Sequence, residues 1–151
     1  MTIVRRAGET DIDAVAALFD AYRQFYDMRP DRAAATAFIR ARMKRSESVI
    51  FVAEDSARGC FGFCQLYPTF CSVAVAPILV LYDLFVTPGA RNSGAGRALL
   101  AAAGRYGVEH GAARMELRTA KTNLPAQSLY ESAGWVRGEK FHTYSTVLGP
   151  A

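Results

Sequence analysis

Hydrophobic and polar residues recur along this chain with two different periods, and these periods divide it into short elements. Apolar positions between 12 and 26 follow helical i, i+3, i+4 spacing and predict a first helix, with Thr10 and Asp13 as its capping pair. Pro30 closes that region, and a second helix is predicted over 32–44. Strand patterns occupy seven segments: 2–7, 48–55, 60–70, 77–86, 114–119, 135–141 and 142–148.

Two more helices complete the pattern. A third is predicted from residue 95, and a short fourth begins where Asn123 can cap it and ends at Gly134. The resulting order, β-α-α-β-β-β-α-β-α-β-β, is not a regular βαβ alternation. It predicts an α+β (mixed α/β) fold, a mixed sheet with helices packed on it, in a single domain spanning 1–151.

Composition adds limits on location and cofactors. The chain has 151 residues, 51% of them hydrophobic, and no apolar run approaches the roughly 20 residues that span a bilayer. The first residues lack the apolar core of a signal peptide, so we expect a cytoplasmic protein without a membrane partner. Cys60, Cys64 and Cys71 match no zinc spacing, and we expect no metal.

The charge balance is mildly basic, at +4. Its cationic residues are mostly arginine and are scattered along the chain rather than interleaved with aromatic residues on one strand. This pattern argues against a nucleic-acid partner, although it would suit a ligand that carries phosphate.

A glycine-containing loop follows the most apolar strand, in the stretch "DLFVTPGARNSGAGRALL". A dinucleotide fingerprint would need a third glycine where Leu99 stands, and a Walker A loop would need lysine where Ala95 stands. What remains is an R-x-x-G-x-G loop at the start of a helix, whose backbone amides can bind an anion. The candidate pyrophosphate-binding residues are Arg91, Asn92, Ser93, Gly94, Ala95, Gly96 and Arg97.

A second motif lies further along the chain. Residues 123–135 read N-x-x-A-x-x-LYE-x-x-GW, and they follow the R-x-x-G-x-G loop at a suitable separation. With these two motifs and the order of its elements, nearly the whole chain resembles the GCN5-related N-acetyltransferase (GNAT) family. Asn92 departs from the glycine that is frequent there, but asparagine tolerates unusual backbone angles.

The resemblance implies acetyl-CoA as co-substrate. It places the pantetheine arm in a gap where the strands at 78–86 and 114–119 splay apart, with helices on both faces of the sheet. The backbone of Phe85 and Val86 would contact the pantetheine, and Asn123 would contact the cofactor as well as cap its helix. The resemblance also implies a homodimer, for which the last strands are natural contact surfaces.

Two side chains are candidates for the chemistry. The resemblance gives Tyr130 as the acid that protonates the departing thiolate; a core aromatic residue is the alternative. Asp83 interrupts an apolar strand, where desolvation would raise its pKa and suit it as a base; a structural, hydrogen-bonded acid is the alternative. A CoA-binding regulatory protein without catalysis is the alternative to an enzyme.

The acceptor is expected to be a small primary amine or a polyamine, with a protein lysine or N-terminus as the alternative. Aromatic faces and carboxylates suit a cationic amine, and the first two helices line the acceptor side of the implied fold. Plain packing of the aromatic residues is the competing interpretation. The candidate residues are Tyr22, Phe25, Tyr26, Asp27 and Asp31.

Overall fold

The computed structural model of the chain describes residues 1–150, and its elements follow the predicted order through the fourth helix. The described strands are β1 (Ile3–Arg6), β2 (Val49–Asp55), β3 (Gly59–Cys71), β4 (Ala76–Val86) and β5 (Met115–Glu116). The α-helices are α1 (Ile12–Phe25), α2 (Arg32–Lys44), α3 (Ala95–Glu109) and α4 (Leu124–Ser132). Short 3-10 turns precede α1 and α3, at Glu9–Asp11 and Pro88–Ala90.

The sheet has the strand order β1-β2-β3-β4-β5. All neighbours are antiparallel except β4 and β5, which run parallel. That last pair is short, with Leu79 opposite Met115 and Val80 opposite Glu116. The expected strand at 114–119 is therefore reduced to two residues. The α+β prediction and the mixed, mostly antiparallel sheet are confirmed.

Two compact units divide the chain, Met1–Arg118 and the part from Thr119 onward. The first unit contains the whole sheet together with α1, α2 and α3. The second contains α4 and the segment that follows it.

Helices of the first unit cover both faces of the sheet. Successive residues of β3 point to opposite faces, so each face has apolar side chains for a helix to bury. Phe63 is fully buried against α1, with its ring edge-on to Phe19 and Tyr22. The next residue, Cys64, points to the other face and lies beside the Leu99 carbonyl of α3. Buried side chains therefore lie on both faces of β3.

The first helix begins differently from its predicted start. Asp11, rather than Asp13, closes a capping box by accepting a hydrogen bond from the Gly8 amide at 2.8 Å. The Arg5 guanidinium donates to both carboxylate oxygens of Asp11 at 2.8 Å, which lowers the pKa of that carboxyl to about 2. A 3-10 turn inserted ahead of α1 moves the cap two residues upstream of the predicted one.

The two strands predicted at 135–141 and 142–148 are absent from the described residues. This prediction was wrong for the isolated chain, because a strand needs a neighbour to satisfy its backbone groups. The segment exposes large apolar side chains at Val136, Phe141, Tyr144, Val147 and Leu148.

Candidate active site

A β-bulge occurs in β4 just beyond the point where its pairing with β5 ends. Gln65 lies opposite Asp83 and Leu66 lies opposite Leu81, so Tyr82 is the extra residue of β4. Beyond Val80, β4 pairs with no residue of β5 in the described chain. The bulge and the short β5 leave one edge of β4 open from residue 81 to 86, and such an edge can accept an added strand-like ligand.

Alternation along β4 determines which backbone groups face this open edge. The Thr87 amide donates to the Phe61 carbonyl of β3 at 2.9 Å. Residues two apart in a strand face the same neighbour, so the backbone of Phe85 also faces β3. The backbone groups of Leu84 and Val86 therefore face the open edge. Leu84 was not among the residues singled out from sequence.

The loop after β4 takes the conformation of an anion-binding turn. Asn92 and Gly94 both have left-handed backbones, with φ of 61° and 85°, and Gly94 is the N-cap of α3. The first bond within α3 runs from the Ala98 amide to the Gly94 carbonyl at 3.0 Å. The amides of Ala95 and Gly96 consequently have no carbonyl within the helix to bond, and they lie at the positive end of its dipole.

The Arg91 side chain lies over the open edge rather than over the helix N-terminus. Its Nε donates to the Val86 carbonyl at 3.0 Å, and its guanidinium lies 5.7 Å from the Phe85 ring centroid and 5.9 Å from that of Phe25. A strand-like ligand that paired with Val86 would compete with this hydrogen bond.

Asp83 is buried, with 4% of its surface exposed. Burial raises the pKa of its carboxyl from an ordinary 3.8 to about 6, against an opposing effect of the hydrogen bond from Gln65. That bond runs from Gln65 Nε2 to Asp83 Oδ2 at 2.7 Å. A carboxyl with this pKa is ionised at neutral pH yet accepts a proton readily, as a general base must.

Two tyrosines flank this carboxyl along the sheet. Burial, together with the charge of Asp83, raises the pKa of the Tyr67 phenol to about 12. The Tyr82 ring is half exposed and meets Tyr67 edge-on at 5.5 Å, and the Arg118 Nη2 donates to its hydroxyl at 3.1 Å. Tyr67 and Arg118 were missed from sequence, because their proximity to Asp83 depends on strand pairing.

The candidate acceptor residues form an aromatic cluster that runs from the core to the surface. Tyr22 packs against Phe63 and Phe85 and donates its hydroxyl to the Tyr82 carbonyl at 3.3 Å, so it also supports the bulge. Phe25 and Tyr26 continue the cluster outward, with rings 5.3 Å apart, and both are partly exposed.

The two carboxylates predicted for the acceptor side differ in their surroundings. Asp31 caps α2 by accepting a hydrogen bond from the Ala34 amide at 3.0 Å, which is a structural role. Asp27 is exposed in a left-handed turn with φ of 62°. Asp27 is the carboxylate beside Tyr26 that remains available to a cation.

The second unit contains the other two candidate residues. Asn123 caps α4 by accepting from the Ala126 amide at 3.3 Å, as its sequence position predicts. Tyr130 lies on α4 with its ring 6.1 Å from that of Trp135. The Trp135 amide donates to the Tyr130 carbonyl at 3.0 Å and Gly134 has a φ of 92°, so the helix ends where the sequence predicts.

Known proteins share both the sequence pattern and this architecture. The Acetyltransferase (GNAT) family model matches residues 13–135. The Bacillus subtilis (strain 168) "Uncharacterized N-acetyltransferase YhfO" is 45% identical over 141 residues, which cover 93% of this chain and 94% of that protein. A "Probable acetyltransferase" of Haemophilus influenzae is 32% identical over 88 residues, covering 58% of this chain and 60% of that protein.

Solved structures give the same result for the fold. A crystal structure of a probable acetyltransferase has a TM-score of 0.91 at 33% identity and covers 99% of both chains. The aminoglycoside N-acetyltransferase AAC(6')-Iy in complex with CoA has a TM-score of 0.82 at 19% identity, covering 97% of this chain and 95% of that one.

None of the helices in residues 1–150 is both long and apolar enough to cross a membrane. The family match covers the open edge of β4, the loop at 91–97 and α4. The chain belongs to the Acetyltransferase (GNAT) family and is an N-acetyltransferase.

Proposed function

We propose that this N-acetyltransferase uses acetyl-CoA and acetylates a primary amine, a small amine or a polyamine, by direct attack in a ternary complex. The observation that carries the proposal is the continuity of two features: the open edge of β4 leads directly into the anion-binding turn at the start of α3. An amide-bearing pantetheine and a pyrophosphate are joined in that order in CoA.

The pantetheine arm binds along the open edge of β4. The backbone groups of Leu84 and Val86 pair with the amides of the arm as an added strand would, while Phe85 contributes its ring rather than its backbone. Arg91 exchanges its bond to the Val86 carbonyl for one to phosphate. The pyrophosphate lies against the turn from 92 to 97, and Asn123 adds a cofactor contact.

Acyl transfer requires a neutral amine, because an alkylammonium has no lone pair with which to attack. A free alkylamine has a pKa near 10.4, so roughly one molecule in a thousand is neutral at pH 7.4. Asp83, with a pKa of about 6, receives the proton as the amine nitrogen attacks the thioester carbonyl. A backbone amide at the open edge stabilises the oxyanion, and Tyr130 protonates the departing thiolate.

The acceptor lies on the side of α1. The exposed faces of Phe25 and Tyr26 and the carboxylate of Asp27 suit the ammonium form in which an amine arrives. Small-molecule acceptors are also the substrates of the aminoglycoside acetyltransferases that share the fold. A protein lysine or N-terminus is the second candidate, since Tyr26 and Met28 are exposed on an open surface.

A homodimer in a reducing, cytoplasmic compartment is the proposed working form. The three cysteines are free, as in proteins of reducing compartments. The segment 136–148 exposes five large apolar side chains and makes no backbone hydrogen bond within the described chain. Sedimentation of the full chain should therefore give a dimer, and a chain ending at Trp135 should give a monomer.

Acetyl-CoA turnover tests the mechanism. Thiol release is followed against amines, polyamines and lysine peptides, for the wild type, Tyr130→Phe and the control Tyr106→Phe on α3. Loss of the acid should lower kcat about 100-fold and leave the KM for acetyl-CoA unchanged. Tight acetyl-CoA binding without turnover on any acceptor would favour a regulatory, CoA-binding protein instead.

A further inference from the structure

Three buried polar side chains form a chain of hydrogen bonds inside the sheet. The Ser48 hydroxyl, just before β2, donates to Gln65 Oε1 at 2.8 Å, and Gln65 Nε2 donates to Asp83 Oδ2 at 2.7 Å. Gln65 is fully buried, and Ser48 and Asp83 are 8% and 4% exposed. These are three of the five buried polar residues in the described chain, and they lie in contact with one another.

The hydrogen bonds among Ser48, Gln65 and Asp83 are not needed to stabilise the core. Burying polar groups is costly, and apolar residues of the same shape at positions 65 and 83 would be as stable or more so. Phe63 and Leu66, the buried neighbours of Gln65 along β3, are apolar and pack well. The polar chain therefore needs an explanation other than core packing.

The hydrogen bond from Gln65 makes the two carboxylate oxygens of Asp83 different from each other. The amide holds Oδ2, whereas Oδ1 has no hydrogen-bond partner among residues 1–150. Since a carboxylate can only accept, it also selects the NH₂ end of the amide, and the Ser48 hydroxyl satisfies the Oε1 end that is left. Without Ser48, one end of a fully buried amide would lose its partner.

We propose that Gln65 is a positioning residue for acetyl transfer: it anchors Oδ2 of Asp83 so that Oδ1 takes the proton of the attacking amine, and Ser48 holds Gln65 in the orientation that does this. The inference rests on the proposed role of Asp83 as base. During the reaction the N–H bond of the amine breaks, and its proton forms a bond to Oδ1. Gln65 keeps donating to Oδ2 before and after this transfer, so no buried group is left unpaired.

The other titratable groups near Asp83 do not change their charge over the pH range of the reaction. The Tyr67 phenol and the Cys64 thiol interact with its charge, and burial raises the pKa of each to about 12. Both are therefore neutral from pH 4 to 9. No ion pair involves Asp83 within the described residues, so Gln65 is the polar group on which its charged form depends.

The test is a titration of the Asp83 carboxyl by NMR in protein labelled with ¹³C at the aspartate side chains, which needs no acceptor. Gln65→Met keeps the length of the side chain and removes its donor, and it should raise the pKa of Asp83 by about 1 to 2, the equivalent of a hydrogen bond to a charged group. Ser48→Ala should raise that pKa less, because it only weakens the polarised amide. Cys60→Ala, on the same strand but without an electrostatic interaction with Asp83, is the matched control and should leave the pKa of Asp83 unchanged.

Turnover against pH completes the test. In Gln65→Met the acid limb of kcat/KM should move up with the pKa of Asp83, kcat should fall, and the KM for acetyl-CoA should stay constant. The inference is overturned if Asp83→Asn abolishes turnover while Gln65→Met and Ser48→Ala move neither the pKa nor the acid limb. Full turnover by Asp83→Asn would overturn the proposed base instead, and the inference with it.

Discussion

Replacing Asp83 by asparagine should stabilise this protein at neutral pH while removing activity. The native carboxyl has a pKa of about 6 against 3.8 for its ordinary value, so the native state binds the proton more tightly than the unfolded chain. Stability of the wild type therefore falls as the pH rises from about 4 to about 6. A pKa difference of about 2 corresponds to about 3 kcal/mol of unfolding free energy.

Asparagine removes that titration and keeps the contact, because its side-chain oxygen can still accept from Gln65 Nε2. Urea unfolding at intervals from pH 4 to pH 8 measures the effect. Asp83→Asn should match the wild type near pH 4 and exceed it by about 3 kcal/mol at pH 8. Such a gain in stability with a loss of activity is typical of catalytic groups held in unfavourable surroundings.

Asp11 provides a control, because its pKa is shifted in the opposite direction to that of Asp83. The Arg5 guanidinium lowers the pKa of Asp11 to about 2, so its contribution is present above pH 4 and is lost as the pH falls through 2. Asp11→Asn should therefore lose stability at neutral pH, and its difference from the wild type should shrink in acid. A flat difference for Asp83→Asn across pH 4 to 8, or a loss of stability at pH 8, would refute the desolvation argument.

Three further predictions concern the cofactor turn and the core. Gly94→Val forces a β-branched residue into a backbone with φ of 85° and should cost about 1–2 kcal/mol of stability and weaken acetyl-CoA binding, as measured by urea unfolding and calorimetry. Arg91→Ala should weaken acetyl-CoA binding and flatten its dependence on salt, whereas Arg105→Ala on α3 should not. Phe63→Ala removes a fully buried ring and should cost about 3–5 kcal/mol; a loss below 1 kcal/mol in urea would contradict the core described.

Local patterns predicted the four helices and the first four strands well. The second helix has the predicted bounds, 32–44, and both Asn123 and Gly134 delimit α4 as expected. The left-handed backbone at Asn92 also agrees with the tolerance expected of asparagine. Each of these features depends on neighbours in sequence, which periodicity and capping rules describe.

Features that depend on pairing between strands were not predictable from one sequence. The bulge at Tyr82 interrupts a run of residues that reads as one continuous strand, and only the register with Gln65 and Leu66 reveals it. The hydrogen bonds that link Ser48, Gln65 and Asp83 were also missed, because these residues are distant in sequence and adjacent in space. The segment 135–148 has strand character, but its pattern does not specify a partner.

Acetyl transfer from acetyl-CoA straight to an amine is tested by measuring, in one reaction, the thiol released from acetyl-CoA and the acetylated amine formed by the wild-type protein. Liquid chromatography with mass spectrometry counts both products for each member of the amine panel. Direct transfer to an amine predicts equal amounts of the two products with at least one primary amine, and no acetyl group retained on the protein. Thiol release without any acetylated amine, or an acetylated protein intermediate, would contradict direct transfer to an amine.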